Sequence, residues 1–487
     1  MQRSNERAHL EHLYQRISAL RAQVEQEGAA QYRRWQPYLK RPFFARSARN
    51  LADYLVLRKH DLRPLQRELA RLGLSSLGRA ESRVRENLDA VLATLGRVLG
   101  LEELPYPTPE DFFAREAQLE AATEELFGPG AGPRILVTLP EEVAADPTLA
   151  SGLVAAGMDA ARINCGHGDP VIWGAMIAQV RQAAQAQPIP ILMDLSGPRL
   201  RIERVQAERR LFVGDPLLLI TQPAFDEPCP FQATVGLPEA LSGLQLGHRV
   251  FLDEGKLEAR VERVEPQAVL LRVVSTPPKG FKLQPEKGLN LPDTPLAIGP
   301  LSAKDLQDLE FALQNADLLG YSFVQRPEDV ERLLLELEAR RPSRLRGLVL
   351  KIETRQAVSN LPELMVRAAG RWPTAIMIAR GDLAVELGYE RLAEMQEEIL
   401  WLAEAASVPV IWATQVLDRL VRKGTPSRAE VSDAVLAARA ECVMLNKGPY
   451  LEQGIRVLSE VLRRMQDHQY KKTPKMRPLK AWAKSAW

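Results

Sequence analysis

Two rhythms of apolar and polar residues divide this 487-residue chain, and the change falls near residue 134. Ahead of it, apolar side chains recur every three or four positions, the spacing of a helix with one buried face. Val84, Leu88, Val91, Leu92, Leu95, Val98 and Leu99 share such a face in "SRVRENLDAVLATLGRVLG". The stretch "NLADYLVLRKHDLRPLQRELARLGL" predicts a second helix, and two more are expected over 5–28 and 108–127. Residues 1–127 thus read as an N-terminal all-α domain. It carries no constellation of chemical groups. His9, His12 and His60 read as surface residues, with an interaction or regulatory module as the functional alternative. "GPGAGP" at 128–133 then breaks the pattern as a loop or boundary. No strand precedes it and no Lys-Ser or Lys-Thr follows, so it is not a phosphate loop.

Beyond 134 the rhythm shortens. Apolar runs of strand length fall at 134–139, 158–164, 190–194, 316–323, 347–353, 375–380, 409–414 and 440–445. Amphipathic helical stretches such as "RPEDVERLLLELEARR" lie between them. Eight parallel strands, each followed by a helix, is the count of a (β/α)8 TIM barrel; a doubly wound open sheet is the rival and seldom reaches it. The predicted barrel domain occupies 134–201 and 298–468. The interruption at 202–297 alternates with period two and is rich in turn residues, so it predicts a small β-barrel inserted after the third strand as a lid. Residues 469–487 read as a basic, loosely ordered tail, solvated rather than bound to an anionic surface.

Charge and composition narrow the function classes. Lys plus Arg is 64 and Asp plus Glu is 62, a balance that argues against a dedicated nucleic-acid binder. Cys165, Cys229 and Cys442 are scattered, with neither metal spacing nor a disulfide framework, which fits a reducing cytoplasm. No run approaches the ~20 apolar residues of a membrane span, and the N-terminal residues lack the apolar core of a signal peptide.

Candidate chemistry gathers at and just past the ends of the apolar runs. In a parallel barrel these positions form one mouth. They are Thr138; Arg162, Asn164, Gly166, His167, Gly168 and Asp169; Asp194 with Arg199 and Arg201; Ser322; Lys351 and Glu353; Arg380, Gly381 and Asp382; and Thr414. Taken singly, each reads as a strand cap, helix cap or surface ion pair. Together, arginine forks, a lysine point charge and hard carboxylate ligands suit a phosphorylated, carboxylated small molecule with Mg²⁺ or Mn²⁺. That is equipment for phosphoryl transfer.

The successive motifs "ARINCGHGD", "DLSGPRLR", "FLDEG", "KGLNLPDT", "LSAKDLQDL", "KIE", "MIARGDLAVE" and "ATQVLD…TPSRAEVSDAV" resemble those of the pyruvate kinase family, over about 134–465. The resemblance implies a barrel with a β lid that moves a phosphoryl group between phosphoenolpyruvate and ADP, giving pyruvate and ATP in glycolysis. It implies that Glu353 and Asp382 bind the divalent metal. Lys351 neutralises the phosphoryl group and the enolate. Backbone N–H groups at Gly381 and Asp382 hold the substrate carboxylate, and Arg162 and Arg201 grip the phosphoryl group. Thr414 stands beside the carbon that takes a proton. Thr138, His167 and Lys287 match the nucleotide site, and Asn164 and Asp194 the monovalent-cation ligands.

Departures from the family pattern carry their own expectations. Gly166 stands where the family has a serine cation ligand, Ser196 where it has a lysine, and Arg199 where it has an acidic residue. Arg199 is therefore expected to substitute for K⁺. "NKG" (Asn446, Lys447, Gly448) replaces a motif whose serine is linked to the proton relay, and the first-strand turn is shortened to "LP". The family's C-terminal allosteric domain is expected to be absent, leaving the N-terminal helices to supply replacement contacts. The expected partners are small-molecule substrates, with no nucleic acid and no membrane, and a homo-oligomer built through the barrel. Two alternatives are a phosphoenolpyruvate-binding sensor and a metal-dependent lyase or aldolase on the same barrel.

Overall fold

The protein is described here by a computed structural model covering residues 2–101, 104–198, 200–221, 229–294 and 299–475. The N-terminal region is helical: α1 (Gln2–Trp35), α2 (Pro42–Leu57), α3 (Arg63–Arg71), α4 (Val84–Leu99) and α5 (Pro109–Phe127). Along α1, Leu13, Ile17, Leu20 and Val24 are buried on one face. The single helix expected over residues 50–74 is instead two, α2 and α3. Pro64 lies in the first turn of α3, and Asp61 Oδ1 accepts the Arg63 N–H at 3.1 Å, so the chain turns there and restarts. Gly100 stops α4 in the left-handed region at φ 70°, and Thr108 caps α5 by accepting from Asp111 N at 3.1 Å.

The barrel strands are β1 (Arg134–Thr138), β2 (Ala160–Asn164), β3 (Ile191–Asp194), β4 (Leu318–Tyr321), β5 (Gly347–Ile352), β6 (Thr374–Ala379), β7 (Val410–Ala413) and β8 (Cys442–Leu445). They pair in chain order, all parallel, and β1 returns to β8 to close the ring. The expected (β/α)8 fold is thus the observed one. Leu136, Leu192, Leu318, Val349, Met377, Ile411 and Met444 fill its interior, together with Leu126 and Phe127 from the end of α5. The last turn of α5 therefore plugs the barrel. Glycine is required at Gly347, because a Cβ there would collide with the Leu126 side chain and come 2.8 Å from the Pro373 carbonyl oxygen.

The N-terminal helices do not stand apart. Their core runs on into the outer helical layer of the barrel. Trp35 Nε1 donates to Glu363 at 2.7 Å, Asn50 Nδ2 to the Ala405 carbonyl at 2.9 Å, and Ser407 Oγ to the Arg115 carbonyl at 3.2 Å. The tail expectation is corrected in part. Gln469–Tyr470 and Thr473–Pro474 form a small antiparallel hairpin after the helix Leu451–Gln466. Lys471, largely buried, pairs with Glu441, while Lys472 pairs with Glu81 and lies 4.8 Å from the centre of the Trp401 ring. Buried carboxylates need counter-ions, and these lysines supply them. Residues 476–487 lie outside the described residues.

After β3 the chain enters a seven-stranded, mostly antiparallel sheet, beginning at Ile202–Ala207 and ending at Leu289–Asn290. Leu217, Phe231, Val250, Leu257 and Leu271 are among its own core residues. Its first and last segments meet. Arg201 bridges Gly288, Ile202 N donates to Lys287 O at 2.9 Å, and Leu289 N donates to Leu200 O at 2.9 Å. Both crossings between sheet and barrel thus run side by side as one hydrogen-bonded ribbon.

Candidate functional site

The apolar part of β5 places Lys351 and Glu353 at the C-terminal mouth of the ring, as strand alternation over a buried barrel requires. Lys351 Nζ lies 3.0 Å from Glu353 Oε1 and 3.3 Å from Asp194 Oδ2, and it donates to Ser322 Oγ at 2.7 Å. Asp194 also receives Arg162, whose Nε is 3.0 Å from Oδ2, and Arg162 Nη1 donates to Thr138 Oγ1 at 3.0 Å. Burial pushes the Asp194 carboxyl up, but Lys351 and Arg162 outweigh it and hold it below the usual carboxylate range. Burial pulls the Lys351 ammonium down, but Asp194 and Glu353 leave it above the ordinary lysine range. Glu353 stays raised: burial lifts it, Lys351 opposes, and the neighbouring Asp382 lifts it further. Its Oε2 accepts the N–H of Phe323 at 2.6 Å, a residue held at φ 55°. Sequence reasoning did not single out Phe323, and took Asp194 only for a cation ligand.

Opposite this cluster, Thr414, Gln415 and Leu417 all adopt positive φ, at 64°, 56° and 48°. Non-glycine residues hold such conformations only where the surroundings enforce them. Arg380 does so: its Nε donates to Ala413 O at 2.9 Å, Nη2 to Thr414 O at 2.5 Å, and Nη2 lies 2.8 Å from Asp433 Oδ2. The expectation that Arg380 joins the cationic mouth is corrected, since its guanidinium is committed to the β7 loop. The Gly381 N–H, expected for a substrate carboxylate, donates to Thr414 Oγ1 at 2.9 Å in this structure. Asp169 is also a cap, accepting from Val171 and Ile172 N–H groups at the start of the helix Pro170–Ala183.

Arg162, Arg201, Lys351, Glu353, Asp382 and Thr414 line one cavity of about 170 Å³, with Asn164, Gly166, Ser196 and Ser322 beside them. The structure therefore brings the central predicted residues together. Arg201 reaches it from the lid ribbon, and its Nη1 lies 2.8 Å from Glu286 Oε2. A second cleft, between lid and barrel, is lined by Arg201, His167, Asp253, Glu286 and Asp382 among others. Thr138 and His167 line a third, with Arg162, Asn164, Arg422 and Lys447. Lys287, expected in the nucleotide site, pairs with Asp253 at 3.1 Å and lines none of these three. A Cβ at Gly166 would come 3.1 Å from Ser196 Oγ and 3.2 Å from Asn164 Oδ1. Arg199 lies outside the described residues.

Cation-binding potential is concentrated in the first cavity. Among the described residues no group of three His, Cys, Asp or Glu side chains is gathered as a complete metal cage. Glu353 and Asp382 face the same space as an oxygen pair, and Asp382 raises Glu353, a repulsion that a divalent cation would relieve. Mg²⁺ is commonly held by one or two carboxylates, with substrate and water completing its shell. The donor set fits that pattern.

Residues 133–450 match the family model described as "Pyruvate kinase, barrel domain". The chain is similar to the pyruvate kinase of Mycobacterium intracellulare, 34% identical over 65% of this chain and 66% of the relative. It is also similar to that of Methylorubrum extorquens, 35% identical over 62% of this chain and 61% of the relative. A third, from Geobacillus stearothermophilus, is 31% identical over 63% of this chain and 53% of the relative. The matched segments thus span between about half and two thirds of the length of these curated relatives.

Proposed function

We propose, on the premise that this chain belongs to the pyruvate kinase family, that it transfers the phosphoryl group of phosphoenolpyruvate to ADP, forming pyruvate and ATP. The observation that carries the reading is the placement of Lys351. It is held by Asp194, Glu353 and Ser322 on the wall of a cavity shared with Arg162, Arg201, Asp382 and Thr414. Phosphoryl transfer asks little covalent chemistry of a protein; it asks for positioned positive charge.

In this mechanism Arg162 and Arg201 bind the phosphoryl oxygens, Arg162 held in place by Asp194 and Thr138. A β-phosphate oxygen of ADP attacks phosphorus as the bond to the enol oxygen breaks. Lys351 faces both the phosphoryl group and the departing oxygen, and its cationic form is secured by two carboxylates. The enolate then takes a proton at its terminal carbon, on the side where Thr414 stands, and becomes pyruvate. The Gly381 N–H donates to the substrate carboxylate once it leaves Thr414 Oγ1, and the Asp382 N–H beside it does the same. Glu353 and Asp382 would hold Mg²⁺ or Mn²⁺, which when bound supplies charge neutralisation for the carboxylate, enolate and phosphoryl oxygens. Thr138 and His167 line the cleft we assign to the nucleotide, and Lys287 is the weakest member of that assignment because it is turned to Asp253. The lid ribbon supports closure over the mouth and exclusion of water. The three cysteines are free thiols, which supports a reducing, cytoplasmic setting for this enzyme.

The test is pyruvate formation from phosphoenolpyruvate, ADP and Mg²⁺ by the wild type and by Lys351→Met. Turnover by the wild type that is lost in the variant supports the reading. Metal-dependent phosphoenolpyruvate binding without any turnover would overturn it in favour of a sensor.

A further inference from the structure

Among the described residues, Arg201 is the one cationic group of the central cavity that arrives on the lid ribbon, so its placement depends on that ribbon. Across the ribbon, Glu286 N donates to Ile202 O at 2.7 Å, which brings the Glu286 carboxylate beside the Arg201 guanidinium. Glu286 Oε2 takes Nη1 of Arg201 at 2.8 Å. Glu286 does this from a left-handed backbone at φ 65°, a conformation that a glutamate adopts only under constraint.

Arg201 lines both the lid–barrel cleft and the central cavity, whereas Glu286 lines only the cleft. The carboxylate therefore grips the guanidinium from outside the cavity. A guanidinium is a planar fork with five N–H donors. Glu286 occupies Nη1, and Nε and Nη2 have no other partner among the described residues, which leaves them for a phosphoryl group. The neighbouring Lys287 has its own counter-ion in Asp253, so Glu286 is not needed there.

We infer that Glu286 is the positioning residue of Arg201, fixing the guanidinium on the lid ribbon so that its free edge meets the phosphoryl group of the substrate. The inference rests on the kinase reading of Arg201 given above. An alternative role, in which Glu286 competes with the phosphoryl group for the arginine, predicts the opposite kinetic sign.

The experiment compares the full-length wild type with Glu286→Gln and Glu286→Lys. KM for phosphoenolpyruvate, KM for ADP and kcat are measured for each, with thermal unfolding as a folding control. Both substitutions replace a largely exposed side chain, so the fold is expected to persist. The expected result is a KM for phosphoenolpyruvate raised roughly two- to fivefold in Glu286→Gln, the range an exposed ion pair supports. Glu286→Lys, which repels Arg201, should raise it further. KM for ADP should hold steady and kcat should change less than twofold. An unchanged or lowered KM for phosphoenolpyruvate in active variants would overturn the inference while leaving the kinase reading intact. A folded wild type with no turnover would overturn both.

Discussion

Asp194 at the end of β3 and Lys351 near the end of β5, on strands separated in the ring by β4 and 157 residues apart in the chain numbering, form the ionic hub of the cavity at 3.3 Å. Both side chains are shielded, Asp194 to 1% exposure. Coulomb attraction at that depth is weakly screened, and the carboxylate holds Arg162 as well.

Replacing Asp194 by Asn should therefore act on two cations at once. A buried pair broken on one side costs about 3–5 kcal/mol, because the remaining charge is left uncompensated. The variant should lose stability on that scale in urea unfolding, and kcat should fall on the order of 10²-fold as Lys351 and Arg162 lose their placement. Wild-type kcat in a folded variant would show that Glu353 and Ser322 alone position the lysine.

Turnover should not require K⁺. The expected cation ligands are compromised: Gly166 has no hydroxyl, and the Asp194 carboxylate already meets Arg162 and Lys351. Exchanging K⁺ for tetramethylammonium at constant ionic strength should leave kcat and KM for phosphoenolpyruvate unchanged. A strict K⁺ requirement would reverse that conclusion.

The junction of α-helical region, barrel and C-terminal hairpin should be pH-sensitive through Glu404. Burial lifts its carboxyl to about 7 from an ordinary 4.5, opposed by Lys471 and Lys472 and reinforced by Glu81 and Glu441. Below about 4.5 the folded and unfolded chains both carry the proton. Between about 4.5 and 7 the unfolded chain releases it first, so the folded state binds more protons and stability falls as pH rises. Above about 7 the loss is complete. Glu404→Gln should flatten this slope, gaining on the order of 2 kcal/mol over the wild type between pH 5 and pH 8 in urea unfolding. Parallel curves for the two proteins would count against it.

Leu126→Ala should open a void in the barrel interior. Leu126 is 1% exposed, and truncating a buried leucine costs about 2–5 kcal/mol. The change lies in the helical region, yet the loss should appear in the single unfolding transition of the barrel. A separate early transition with the barrel midpoint unmoved would contradict the plug.

What the chain discloses before folding is governed by range. Barrel strands were readable because each is a short apolar run followed by polar or charged residues, and a ring that buries both strand faces needs such runs. Lys351, Glu353, Asp382 and Thr414 were expected at the mouth because they follow such runs, and they line one cavity. The break at residues 58–62 was overlooked because "NLADYLVLRKHDLRPLQRELARLGL" keeps a helical period on both sides of the turn. Arg380 was misassigned because its partner Asp433 lies 53 positions downstream on another helix. Nothing local in "PGAGPRILV" or in α5 announced that Leu126 and Phe127 enter the barrel, since an apolar helix end is equally consistent with packing elsewhere. The tail hairpin was hidden by its composition: two lysines look solvated until Glu441 and Glu81 are known to wait for them.

The plug has a temporal side. A ribosome delivers α5 long before β8, and the ring into which Leu126 and Phe127 fit does not exist until β8 pairs with β1. Throughout most of synthesis this apolar pair has no interior to enter. The nascent chain must carry it uncovered, a natural target for chaperones and for aggregation. The earliest-made segment of the barrel's core thus waits longest for its cover.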